Sequence, residues 1–95
     1  MSTYFMIGKY SLEALKDVSI ARTKKAEHLI ARYQGTIKDM YILMGQYDLV
    51  FIVDLPNNED AIKVSASLTT MTGISFMTLP AVSVSDFDDF AQLEQ

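Results

Sequence analysis

The sequence contains no cysteine. That excludes a disulfide framework, a thiolate metal site and a cysteine nucleophile. A small domain that folds without such staples fits a cytoplasmic setting. Histidine occurs once, at His28. No stretch approaches the ~20 apolar residues of a membrane-spanning helix. The start, Met1 to Lys9, lacks the basic flank and the longer apolar run of a secretory signal. Phosphate-binding loops, dinucleotide fingerprints and nucleophile elbows are missing too. The expectation is a soluble cytoplasmic chain that uses no cofactor and no metal and has no membrane partner.

What is present is apolar for so short a chain. Of 95 residues, 49% are hydrophobic and 21% charged. This is a globular composition, and the length suits one domain, 1–95. A chain of this size buries roughly 60–65% of its unfolded surface, so the core is modest and some apolar surface is left for association. The net charge of −4 is unevenly placed. Residues 1–38 hold seven basic side chains against three acids, a net of +4. Residues 39–95 hold Lys63 against nine acids, a net of −8. An acidic chain without interleaved aromatic and basic residues is a poor nucleic-acid binder.

Hydrophobic periodicity gives the elements. Thr3–Lys9 is a short β-favouring run. Ser11 caps a helical turn carrying Leu12 and Leu15, and Ser19 caps a helix over Ile20–Tyr33. Ala26, Leu29, Ile30 and Tyr33 form its buried stripe, with Lys24, Lys25, His28 and Arg32 opposite. Gly35 stands where a helix end favours a left-handed residue. Thr36–Met44 and Tyr47–Leu55 read as a hairpin closed by Gly45-Gln46 in a type II′ turn. That turn pairs Ile42 with Leu49 and Tyr41 with Val50. A second helix follows Asn57, with Ala61, Val64, Ser65, Leu68 and Met71 inward and Gly73 at its end. Ile74–Val82 is the last strand, with Pro80 near its end or on an edge. Ser85 and Asp88 have capping-box spacing for a tail helix docked by Phe87, Phe90 and Leu93. The order βαββαβ plus a short C-terminal helix predicts an α+β domain. Its four-stranded antiparallel sheet carries both helices on one face.

The hairpin register sorts side chains by face. One face carries Met40, Ile42, Met44, Tyr47, Leu49, Phe51 and Val53. The other carries Ile37, Tyr41, Leu43, Val50 and Ile52, with Asp39, Asp48 and Asp54 among them. Two helices cover one face only, and the second is too apolar for water. Packing against a second copy removes that patch; a tail helix folded back over the sheet is the alternative.

Gly45-Gln46-Tyr47-Asp48, followed by Leu49-Val50-Phe51-Ile52-Val53-Asp54-Leu55-Pro56, resembles the signature of the GYD-domain family. Tyr10-Ser11, Ser19-x-x-Arg22 and Leu79-Pro80-Ala81 extend the resemblance over nearly the whole chain, although Ile20 replaces the family's usual proline. The resemblance implies a bacterial protein with a ferredoxin-like, dimeric α+β barrel fold. Related barrels include ligand-sensing modules and small enzymes, so it leaves the activity open.

Three residues stand out as candidate ligand-binding groups: Asp48, Arg22 and Tyr41. Asp48 is either a desolvated general base or a carboxylate that accepts backbone N–H bonds. Arg22 leans toward the sheet side of its helix, placed to pair with a carboxylate such as Asp48 or to hold an anionic ligand. Tyr41 shares a face with Asp48. Tyr47 reads as a core residue with a polar tip, and Tyr10 as a residue at a cleft mouth. His28 lies on a solvated basic face, which weighs against a haem ligand. Asp86, Asp88 and Asp89 lack the glycine and distal glutamate of a calcium loop. The leading expectation is a homodimer or larger homo-oligomer binding a small molecule between sheet and partner. A cofactor-independent enzyme with an Asp48 base and a purely structural assembly module are the alternatives.

Overall fold

The computed structural model describes residues 1–93. The described residues form four strands and four helices, in the order β1 (Ser2–Lys9), α1 (Leu12–Lys16), α2 (Ile20–Arg32), β2 (Thr36–Ile42), β3 (Leu49–Leu55), α3 (Asn58–Thr72), β4 (Ser75–Ala81) and α4 (Val84–Leu93). The sheet is antiparallel throughout, in the order β2-β3-β1-β4. Pro80 therefore sits on an edge strand, where a missing N–H costs no ladder bond.

The helices start where hydroxyl or amide side chains satisfy otherwise unpaired N–H groups. Ser11 Oγ accepts from Ala14 N–H, Ser19 Oγ from Arg22 N–H, and Asn57 Oδ1 from Asp60 N–H. The tail helix begins earlier than its sequence suggests: Ser83, not Ser85, accepts the N–H of Asp86. Both serines have an aspartate three residues on, and the register of the tail uses the first. At the end of α2 the left-handed residue is Gln34, with φ 64°, and not Gly35. Gly35 N–H donates to Ile30 O and Gln34 N–H to Ala31 O, the paired bonds of a Schellman ending. Gly35 is needed for space instead, because a Cβ there would lie 2.6 Å from Leu55 Cδ2.

α2 and α3 lie on one face of the sheet and enclose the core. Tyr4 and Met6 of β1, Phe51 and Val53 of β3, Ile30 of α2 and Val64 and Leu68 of α3 are all buried. The predicted stripes hold at Ala26, Leu29 and Ile30, and at Ala61, Val64 and Leu68. Met71, expected to face inward, is 39% exposed and lines a surface groove with Leu29 and Tyr33.

Two features of the hairpin depart from the expected pattern. Ile42 pairs with Leu49 and Tyr41 with Val50 as anticipated, but the register shifts between Ile37 and Asp39. Lys38 is the extra residue of this bulge, so Ile37 pairs with Val53 and packs on the core instead of the open face. The strands also stop sooner, at Ile42 and Leu49, leaving a loop over residues 43–48 in place of a two-residue turn. Gly45 has φ 158°, far from the roughly +60° that a type II′ turn needs at its first central position. Tyr47 accordingly lies half-buried in this loop and not in the core.

The other face of the sheet is bare. Phe5 pairs with Ile52 on one side and Leu79 on the other; Ile7 pairs with Val50 and Met77. Phe5, Met77, Leu79 and Tyr41 remain 36%, 40%, 41% and 55% exposed. The tail helix does not cover them. α4 buries none of its side chains, and Phe87 and Phe90 are each 58% exposed. Among the described residues, no helix is long and apolar enough to cross a membrane.

Candidate functional site

A half-open pocket of about 220 Å³ lies between the sheet and its own helices. Its floor is the core face of the sheet: Met40 and Ile42 from β2, Leu49 and Phe51 from β3, and Phe76 from β4. Alternation along the strands turns these side chains to the helix side. Leu68 and Thr72 of α3 form one wall; Arg22, Thr23 and Ala26 of α2 form the other. The Phe51 and Phe76 rings meet in a tilted arrangement with centroids 5.7 Å apart. The lining is predominantly apolar with few polar groups, the usual makeup of a small-molecule site.

Among the described residues, Arg22 is the one charged residue in that lining. It sits in the first turn of α2, held there by the Ser19 cap. A cation in a first turn opposes the helix dipole, at a cost of about 0.3–1 kcal/mol. Helix stability therefore does not account for its placement. Its Nη1 donates to Ala14 O at 2.5 Å, which ties α2 to α1. Its guanidinium carbon lies 5.7 Å from the centroid of the Tyr10 ring, close enough for cation–π attraction. The ion pairs among the described residues are Lys38–Asp54 and Lys63–Glu59, so none of the described carboxylates neutralises Arg22.

Asp48 lies outside this pocket, in a neighbouring cleft with Lys9, Ser11 and Leu43. Its Oδ2 accepts the Tyr10 N–H at 2.8 Å, and its own N–H donates to Gly8 O at 2.9 Å. The carboxylate thus fastens the exit of β1 to the start of β3, which is the backbone-binding role rather than a pairing with Arg22. Tyr10 links the two: its N–H meets Asp48 and its ring faces Arg22. Tyr41 lines the pocket from the edge strand β2, although its strand position alternates to the open face. Arg22 and Tyr41 are therefore brought to one pocket, with Tyr10 at its side, and Asp48 is not.

Removing the Asp48 carboxylate should loosen this corner. A hydrogen bond to a charged group contributes about 1.5–3 kcal/mol. Asp48→Ala is expected to lower unfolding free energy by that order in urea titrations, and Asp48→Asn, which keeps an acceptor, by less. An Asp48→Ala protein as stable as the parent would remove this role.

The other charged candidates are solvated. His28 is exposed on α2, and Asp86, Asp88 and Asp89 are exposed on α4. Among the described residues, no three His, Asp or Glu side chains are grouped to hold a metal ion. The Lys63 ammonium is raised above its ordinary value by its hydrogen bond to Glu59 one turn earlier; the pair lies in solvent on α3.

Sequence reasoning had singled out Arg22 and Tyr41 but not Phe51, Phe76, Leu68 or Thr72 as pocket residues. Periodicity marks such residues as core, and nothing in a one-dimensional pattern says which core contacts stay open.

Comparison with known folds agrees with this architecture. The leucine response regulatory protein LrpA of Mycobacterium tuberculosis superposes with a TM-score of 0.57 at 8% identity, over 87% of this chain and 51% of that one. A homoserine dehydrogenase from Thiobacillus denitrificans superposes with a TM-score of 0.55 at 12% identity, over 83% of this chain and 17% of that one. The chain thus spans about half of the first and a sixth of the second. At such identities the likeness is one of fold. No curated protein matches the chain. The GYD domain family matches residues 4–91, nearly the full length, with the Gly45-Gln46-Tyr47-Asp48 turn inside the match, and the chain belongs to that family.

Proposed function

We propose that this domain is a small-molecule-binding module that works as a homodimer. The observation that carries the binding half is the pocket: about 220 Å³, mostly apolar, with one guanidinium and no carboxylate among the described residues of its lining. An apolar cavity of about 150 Å³ is enough to take up benzene, so the space suits a compact organic molecule. Both fold neighbours contain this architecture as part of a longer chain, and one is named for its response to leucine.

The homodimer reading rests on the bare sheet face. Ile52, Phe5 and Leu79 form one row across the strands, and Tyr41, Val50, Ile7 and Met77 the next. A second copy turned about a two-fold axis presents the same rows, the self-complementary arrangement of an isologous interface. The sequence reading placed the ligand in that interface. The more favourable setting is the helix side of each sheet, because Arg22 and the aromatic floor lie there.

Native mass spectrometry of gently purified protein tests both halves together. The expected species has about twice the 10.7 kDa subunit mass, with a reproducible small additional mass. A monomer at micromolar concentration sinks the dimer; a dimer that never retains or binds a small molecule shifts the reading to an assembly module.

A further inference from the structure

We infer that the pocket's ligand is a small aromatic or branched-aliphatic monocarboxylate, whose carboxylate is held by Arg22. This rests on the pocket being a binding site, as proposed above. The charge pattern is the first argument. A guanidinium has five N–H donors. Here one hydrogen bond, to Ala14 O, is made by protein. Arg22 lines an apolar space in which, among the described residues, no carboxylate meets its other donors. A carboxylate fits the guanidinium fork through two parallel bonds, which a neutral group cannot reproduce.

Shape and lining restrict the remainder of the molecule. Leu49, Phe51, Leu68, Ile74 and Phe76 offer only apolar contact. The Thr72 hydroxyl is already committed, donating to Leu68 O and accepting from Ile74 N–H. A phenyl ring fills most of about 220 Å³, leaving room for a short acid arm reaching Arg22. The absent carboxylates also discriminate. An α-amino acid would bring an ammonium group into a pocket whose described residues carry a cation and no anion, so a plain acid is preferred over a zwitterion.

Phenylacetate, phenylacetamide and phenylalanine are suitable probes. Binding to the intact protein is measured by calorimetry, and its location by the methyl resonance of isotope-labelled Met40. Phenylacetate should shift the Met40 signal and bind at least about tenfold tighter than the amide or the amino acid, the discrimination expected of one charge-assisted hydrogen bond. Arg22→Gln should erase the difference between acid and amide. Arg22→Lys, which keeps the charge without the fork, should retain part of it. Equal binding of acid and amide at Met40 would overturn the ligand class and leave the pocket as a neutral-ligand site. Equal binding of phenylalanine and phenylacetate would overturn the restriction to plain acids. No Met40 shift with any probe would overturn the pocket reading and the ligand class together. The parent protein alone decides among these outcomes, so a poorly folded Arg22 variant does not rescue the proposal.

Discussion

Phe5→Asp is expected to leave the fold intact and convert the proposed dimer to a monomer. Phe5 lies mid-sheet on the bare face, between Ile52 and Leu79, and is 36% exposed in the single subunit. In a face-to-face dimer its ring would lie near the interface centre, where truncations cost most. An aspartate there loses the apolar contact and must be desolvated without a partner, a penalty of several kcal/mol. Each 1.4 kcal/mol is about tenfold in affinity, so dissociation should be favoured by at least about a hundredfold. The subunit core should be little affected, because Met6 and Tyr4 point the other way and stay buried beneath the helices. Sedimentation velocity across a concentration series reads the change, and far-UV circular dichroism checks the fold. His28→Asp, on the solvated side of α2, is the control and should remain dimeric. If Phe5→Asp associates as strongly as the parent, the sheet face is not the interface. The exposed aromatic stripe of α4 would then be the surface to examine.

Leu68→Ala should produce the largest loss of stability among conservative core changes near the pocket. Leu68 is fully buried on α3 and also lines the pocket wall. Leucine-to-alanine changes in cores cost about 2–5 kcal/mol, the lost transfer energy plus a cavity term. A domain of this size has roughly 5–15 kcal/mol in total, so at mid-range about a third of it is at risk. The vacated space adjoins an existing opening and can admit water, which favours the lower half of that range. For a domain of 60–100 residues each kcal/mol shifts Tm by about 4–8 °C, so a fall of about 10 °C or more is expected. Comparisons should be made at fixed protein concentration, since the proposed dimerisation would itself raise apparent stability. Thermal melts give the shift and urea titrations the free energy. A loss below about 1 kcal/mol would mean that Leu68 packs loosely, and that the pocket extends further into the core than its walls indicate.

Much of the fold was legible because it is written in local chemistry. Ser11, Ser19 and Asn57 each stand just before an apolar-periodic run, and each caps a helix. The Ala26–Leu29–Ile30 and Ala61–Val64–Leu68 stripes are buried because 3.6-residue periodicity places them on one side. Alternation along β3 was equally readable, and the Tyr41–Val50 and Ile42–Leu49 pairs expected from a two-residue Gly45-Gln46 turn hold although the loop is longer. The misses have one physical origin. Ser83 and Ser85 offer the same capping chemistry, and chain path chose between them. Nothing near Lys38 signals a bulge, yet it moves Ile37 from one face to the other.

The candidate site divides the same way. Helical angle was enough to turn Arg22 toward the sheet, and residue type was enough to make it an anion-binding candidate. Its distance from Asp48 was not readable, because Asp48 is claimed by Tyr10, 38 positions earlier in the chain. Short-range pattern settled the order of elements, the starts of the first three helices, the buried stripes and the surplus of apolar sheet surface, since each depends on neighbours a few residues apart. The hairpin loop, the bulge, the side of the sheet that carries a pocket and the failure of α4 to cover the open face were settled by the assembled fold. They depend on which distant groups compete for the same space and the same hydrogen bonds, and that competition exists only once the strands and helices have met.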